Sequence, residues 1–144
     1  MDSYPIRLSE SILSHAKLGE DSSSLRRELY FIKFNKLKSA LSNDELKAVF
    51  WCNIYNAYVL IIAKESSKSS SVFKYKRIKV AHFAFSLNDI EFKILGMNDR
   101  NLFYKFIDNL FWSSSIKELA LEQVDYSLQI MLDQSALNNY ISSN

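Results

Sequence analysis

The chain has 144 residues, 48% of them hydrophobic and 24% charged, with a formal net charge of +2. That is the mix of one ordinary globular domain. It excludes disorder and collagen-like repeats, and the charge is too near neutral to name an acidic partner. Only two glycines, Gly19 and Gly96, and one proline are present. Phosphate-cradling loops, dinucleotide fingerprints and nucleophile elbows are built on glycine, so none of them can be here. Cys52 is the single cysteine, so no intrachain disulfide forms and oxidising export is not implied. The first twenty residues hold no apolar run of signal-peptide length. The longest charge-free stretch, residues 48 to 63, falls short of the roughly 18 residues a bilayer needs, and it carries Asn53 and Asn56. The expectation is a soluble, cytoplasmic protein with no membrane span.

In chain order, Ser9 is a candidate cap for a first helix with Ile12, Leu13 and Ala16 inward. The polar break at residues 21–24 opens a second helix over residues 25–38. Ser42-Asn43-Asp44-Glu45 has the spacing of a capping box and opens the strongest element, a helix over residues 43–64. Leu46, Phe50, Ile54, Ala57 and Ile61 form one apolar stripe, while Trp51, Cys52, Tyr55 and Val59 make the opposite side apolar too. A helix apolar nearly all round is central and buried. Residues 66–71 read as a polar, mobile loop, and residues 77–85 as two short strands that change phase at Ala81-His82. Ser86-Leu87-Asn88-Asp89 caps a helix that Gly96 ends. Helices follow over residues 101–109 and 115–121. Residues 124–132 alternate apolar and polar with period two, which predicts a strand whose polar face presents Asp125, Ser127 and Gln129. The tail from Gln134 is weakly amphipathic. The fold class is therefore α+β: one mostly helical domain over residues 1–144, with a central buried helix and a small sheet that includes residues 77–85 and 124–132.

Chemistry-bearing residues are sparse. Cys52, about two turns into a buried helix, reads as a core side chain rather than a nucleophile. His15 falls on an exposed helix face and His82 at a chain reversal; with one cysteine they make no zinc site, and no metal or cofactor is expected. Asn53 falls inside the apolar stripe, so its amide needs a partner: the backbone of an irregular segment, or a ligand. Replacing it by Leu should then destabilise the fold. Asp89 and Glu91, two apart on a helix, do not face each other; Asp89 pairs with Lys93. Residues 64–83 carry net +5 against −4 for residues 84–144, with Phe73, Tyr75 and Phe83 among the cations. Without a basic balance over the whole chain this disfavours a nucleic-acid partner.

Two motifs in order carry a resemblance. Ala48-Val-Phe-Trp51-Cys-Asn53-Ile-Tyr55-Asn56-Ala57 resembles the aromatic–Asn–x–Tyr–Asn–Ala signature of the family called domain of unknown function 547. Residues 78–81 followed by Phe85-Ser-Leu-Asn-Asp89-Ile-Glu91 resemble its second signature. The likeness covers most of residues 5–132, the front part of the domain, and names a relative rather than a reaction. It implies binding or motif roles for Trp51, Asn53, Tyr55, Asn56, His82, Asp89 and Glu91. It also implies departures. Phe92 stands where the family has His, His82 where its hairpin turns on Gly, Ser127 for Arg, Gln129 for His, and Gln134 about where a first Cys would fall; a later Cys-Pro segment is missing. The expectation is a C-terminally shortened, non-catalytic or degenerate member, acting as an interaction module through uncovered apolar surface that binds a protein partner or itself. The alternatives are an enzyme with a site near Asn53, Asn56, His82 and Asp89, and a weak nucleic-acid binder through residues 68–79.

Overall fold

The structure, a computed structural model, describes residues 3–65, 70–97 and 114–142. Helix α1 (Tyr4–Leu18) begins a full turn before Ser9, because Pro5 in the first turn supplies a helical φ where no N–H is needed. Ser9 lies inside it, buried, its hydroxyl donating back to the Ile6 carbonyl at 2.7 Å. Gly19, at φ 71°, closes α1 as its N–H bonds Ala16 O and the next N–H bonds His15 O. The helix expected over residues 25–38 is two: α2 (Ser23–Phe31) and α3 (Phe34–Ala40), parted where Ile32 and Lys33 turn extended. A tertiary contact stops α2, since Leu29 O and Tyr30 O accept the N–H groups of Ala81 and His82 at 3.0 and 2.8 Å.

Helix α4 (Asp44–Glu65) is the central helix expected from its all-round apolarity. Its cap is Asn43 rather than Ser42, for Asn43 Oδ1 accepts the Leu46 N–H at 2.9 Å. By length and composition α4 would reach across a bilayer. Here both of its sides are packed: Phe50, Ile54 and Ala57 as well as Trp51, Tyr55 and Val59 are fully enclosed. It packs most extensively on α1, and also against the final helix and the helix carrying Asp89. A short 3₁₀ turn (Ser70–Phe73) leads to β1 (Ile78–Val80) and β2 (Phe83–Phe85), antiparallel, with Val80 opposite Phe83. The two-residue turn between them has both φ angles positive, 50° at Ala81 and 70° at His82. That is the left-handed turn hairpins prefer and glycine fits best, which accounts for the Gly that the resemblance implies at position 82. The His82 ring rests on Tyr30 and Phe31, with centroids 5.1 and 5.5 Å away.

Ser86 and Asp89 cap each other reciprocally, and a π-helix (Asp89–Ile94) runs to Gly96 at φ 72°. A Cβ at Gly96 would come within 2.7 Å of Val124. Helix α5 (Ser114–Leu119) matches its expected place; the helix read at residues 101–109, and residues 66–69 of the polar loop, lie outside the described residues. The strand expected over residues 124–132 is absent. Those residues hold a 3₁₀ helix (Tyr126–Met131), and the sheet consists of β1 and β2 among the described residues. A strand needs a neighbour for its N–H and C=O groups. Here Asp125 instead caps the Ser127 N–H at 3.1 Å, and bonds such as Leu128 N–H to Asp125 O, also 3.1 Å, close local turns. Leu128 and Leu132 are buried, whereas Val124, Tyr126 and Ile130 are exposed. Ser127 and Gln129 therefore share no strand face with Asp125. Helix α6 (Ser135–Ser142) packs back on α4 through Leu137.

Candidate functional site

One line of α4, at spacings of three and four residues, carries Asp44, Lys47, Trp51 and Tyr55. Each reaches the end of α5 or the chain that follows it. Asp44 accepts the N–H groups of Glu122 and Gln123 at 2.9 and 3.0 Å. Lys47 Nζ donates to Ala120 O at 2.9 Å and Trp51 Nε1 to Leu119 O at 3.0 Å. Beside them Asn56 donates to Met131 O at 2.9 Å and accepts from the Asp133 N–H at 2.8 Å. Side chains of one helix thus hold the stretch 119–133 by its backbone.

At the end of that line sits a buried polar cluster. The Tyr55 hydroxyl donates to Glu91 Oε1 at 2.8 Å. Gln134 Nε2 lies 2.7 Å from the same oxygen and 2.6 Å from the Tyr55 hydroxyl. Tyr55 and Glu91 are both buried. Burial first, then the charge and bond of Glu91, push the Tyr55 phenol far above its ordinary range. Tyr55 therefore stays a donor at neutral pH, and Gln134 does not titrate. The Tyr55 hydroxyl and the Gln134 carboxamide together fix the position of the Glu91 carboxyl group.

Asp89 faces the other way. Its carboxylate accepts from Lys76 at 2.6 Å, the Ser86 N–H at 2.9 Å and Lys93 at 3.0 Å, the last being the expected i,i+4 pair. Burial alone would raise its pKa; the bonds from Lys76, Ser86 and Lys93 outweigh that and hold it below the usual carboxylate range.

The remaining residues singled out by sequence do not join one cleft. Asn53 Nδ2 donates to Ser9 Oγ at 3.2 Å, so its partner is a hydroxyl of α1. The irregular backbone expected for it belongs to Asn56. His82 stacks on α2, away from both carboxylates' bonding partners. Cys52 is a core side chain whose thiol burial pushes up to about 11. His15 is half-buried rather than solvated, its Nδ1 2.8 Å from Ser11 O. Phe92 is half-buried against the core. Ser127 is exposed and bonded to Asp125, and Gln129 is exposed. Among the described residues no group of three or more His, Cys, Asp or Glu could hold a metal ion.

Asn53→Leu is expected to cost about 1 kcal/mol and Asn56→Ala about 1–2 kcal/mol, because Asn56 loses two main-chain bonds. Urea unfolding reads both; an unchanged midpoint in either variant would contradict its structural role.

The family model for "protein of unknown function, DUF547" matches residues 38–139. The chain belongs to the DUF547 family. No curated protein and no solved structure matches it. The match runs from the end of α3 to α6, so it takes in the α4 line, the hairpin and the Tyr55–Glu91–Gln134 cluster. The resemblance places a DUF547 cysteine about where Gln134 stands, against the buried Glu91 carboxylate. Sequence reading named Tyr55, Glu91 and Gln134 separately and missed Asp44 and Lys47. Their spacing with Trp51 was the available signal.

Proposed function

We propose that this DUF547 member is a non-catalytic interaction module that takes an apolar, basic segment of a partner protein. Exposed apolar side chains beside an acid-rimmed groove carry the reading. The groove, of about 370 Å³, is floored by Ala48, Val49, Leu121, Leu128 and Met131 and rimmed by Asp44, Glu45 and Asp125. Met131 is 54% exposed, and Ile130, next to it on the 3₁₀ helix, is 89% exposed. Apolar patches of this kind mark partner sites, and the acidic rim selects a basic partner. Non-catalysis is supported by Gln134, which meets Glu91 with a carboxamide.

A synthetic amphipathic peptide tests this, with Leu at i, i+3, i+4 and i+7 and Arg flanking, read by fluorescence anisotropy. It should bind, and its Glu-flanked counterpart should not. Met131→Lys should weaken binding by about tenfold or more, since burying one such side chain is worth about 1.5–3 kcal/mol. Equal binding of both peptides, or an unaffected Met131→Lys variant, overturns the proposal. So does a dimer in sedimentation that Met131→Lys abolishes, which would make the occupant a second copy.

A further inference from the structure

A second concavity, of about 510 Å³, opens between α2, α4 and the residues entering β1. Ser23, Arg26, Arg27 and Tyr30 line it from a single face of α2. Lys76, Arg77 and Lys79 line it from the hairpin side, and Tyr58 of α4 lines it as well. Five cations therefore face one basin, and two carboxylates answer them. Glu65 takes Arg77 at 2.6 Å and Arg26 at 4.0 Å; Asp89 takes Lys76 at 2.6 Å. Arg27 and Lys79 pair with no carboxylate among the described residues, and Lys79 Nζ sits 5.7 Å above the Tyr30 ring. The basin holds uncompensated positive charge.

Tyr58 supplies an independent observation. It is only 4% exposed, yet its hydroxyl has no hydrogen-bond partner among the described residues. A buried phenol ordinarily finds one. Burial above all, opposed by the cations Arg26 and Arg77 and aided by the Glu65 charge, pushes this phenol up to about 12, so at neutral pH it is a donor awaiting an acceptor.

We propose that this basin binds the phosphate monoester of a small molecule, with Arg27 and Lys79 supplying the unpaired charge and the Tyr58 hydroxyl a hydrogen bond. Guanidinium groups match phosphate oxygens in geometry and charge. The volume suits a small ligand rather than a bare ion. The cations line one pocket rather than a track, and the whole chain carries only +2, so a long polyanion finds no continuous field. The site shares no lining residue with the acidic groove, and its test is independent of that reading.

Calorimetry at low salt would use adenosine monophosphate, adenosine, and a single-stranded oligonucleotide of about twenty nucleotides. Adenosine monophosphate should bind one to one, and adenosine should not. Arg27→Glu should weaken the monophosphate by about tenfold or more. Tyr58→Phe should weaken it by several fold without lowering the melting temperature, because the hydroxyl it removes has no partner in the protein. The proposal falls if the monophosphate gives no binding at millimolar concentration, or if adenosine binds as well. It falls equally if either variant binds like the parent, or if the oligonucleotide binds a hundredfold more tightly than the monophosphate.

Discussion

Glu91→Ala should lower the stability of the folded chain by about 3–4 kcal/mol, while Glu91→Gln should cost about 1 kcal/mol. The Ala variant deprives the Tyr55 hydroxyl and the Gln134 carboxamide of the oxygen they share and leaves a void where a carboxylate was enclosed. Their mutual contact at 2.6 Å survives in part, which is why the loss stops short of that for two fully orphaned donors. The Gln variant keeps an acceptor of the same shape and forfeits only the charge assistance. Urea unfolding of the two variants decides the matter: equal losses would mean that the cluster does not hold this part of the core. Tyr55→Phe combined with Glu91→Gln should give less than the sum of the single losses, since both remove the same bond.

The second large effect depends on pH. Asp89→Ala should cost about 2–3 kcal/mol at pH 7, as the Ser86 N–H loses its acceptor and Lys76 and Lys93 lose their counter-charge. The figure allows for Lys76, which is mostly solvent-exposed and so contributes little. The folded-state pKa of Asp89 lies below its unfolded value. Its contribution is therefore complete above the ordinary carboxylate range, about pH 4, and is lost as pH falls through the folded value. Melting temperatures of parent and variant should converge on acidification and stay apart above pH 5 or so. A gap that persisted unchanged at about pH 2 would remove the ionised carboxylate from the explanation.

The central helix was legible because its apolarity is a property of its own residues; so were the two short strands, the reversal between them and a helix cap within residues 86–89. The strand over residues 124–132 was misread for the opposite reason. Alternation of Val124, Tyr126, Leu128, Ile130 and Leu132 states which side chains are apolar, but a strand also requires a neighbouring strand, which lies far away in sequence. The split between α2 and α3 was hidden likewise, because the groups that end α2 are main-chain N–H groups of a hairpin some fifty residues on. Composition could not place Arg26 and Arg27 beside Lys76, Arg77 and Lys79, although the one-face spacing of Ser23, Arg26, Arg27 and Tyr30 was on view. The Asn53 amide was rightly expected to be engaged, and only its partner differed.

Asp44, Lys47, Trp51 and Asn56 grip peptide groups, and a peptide group is the same whatever residue bears it. An attachment of that kind is indifferent to identity, not at the buried Leu119, Leu128 and Leu132 but at the exposed positions of residues 119–133. Substitutions there can accumulate without detaching the segment, so the fold tolerates the exchange of reactive side chains for inert or greasy ones. At those exposed positions a change of surface chemistry is decoupled from loss of shape.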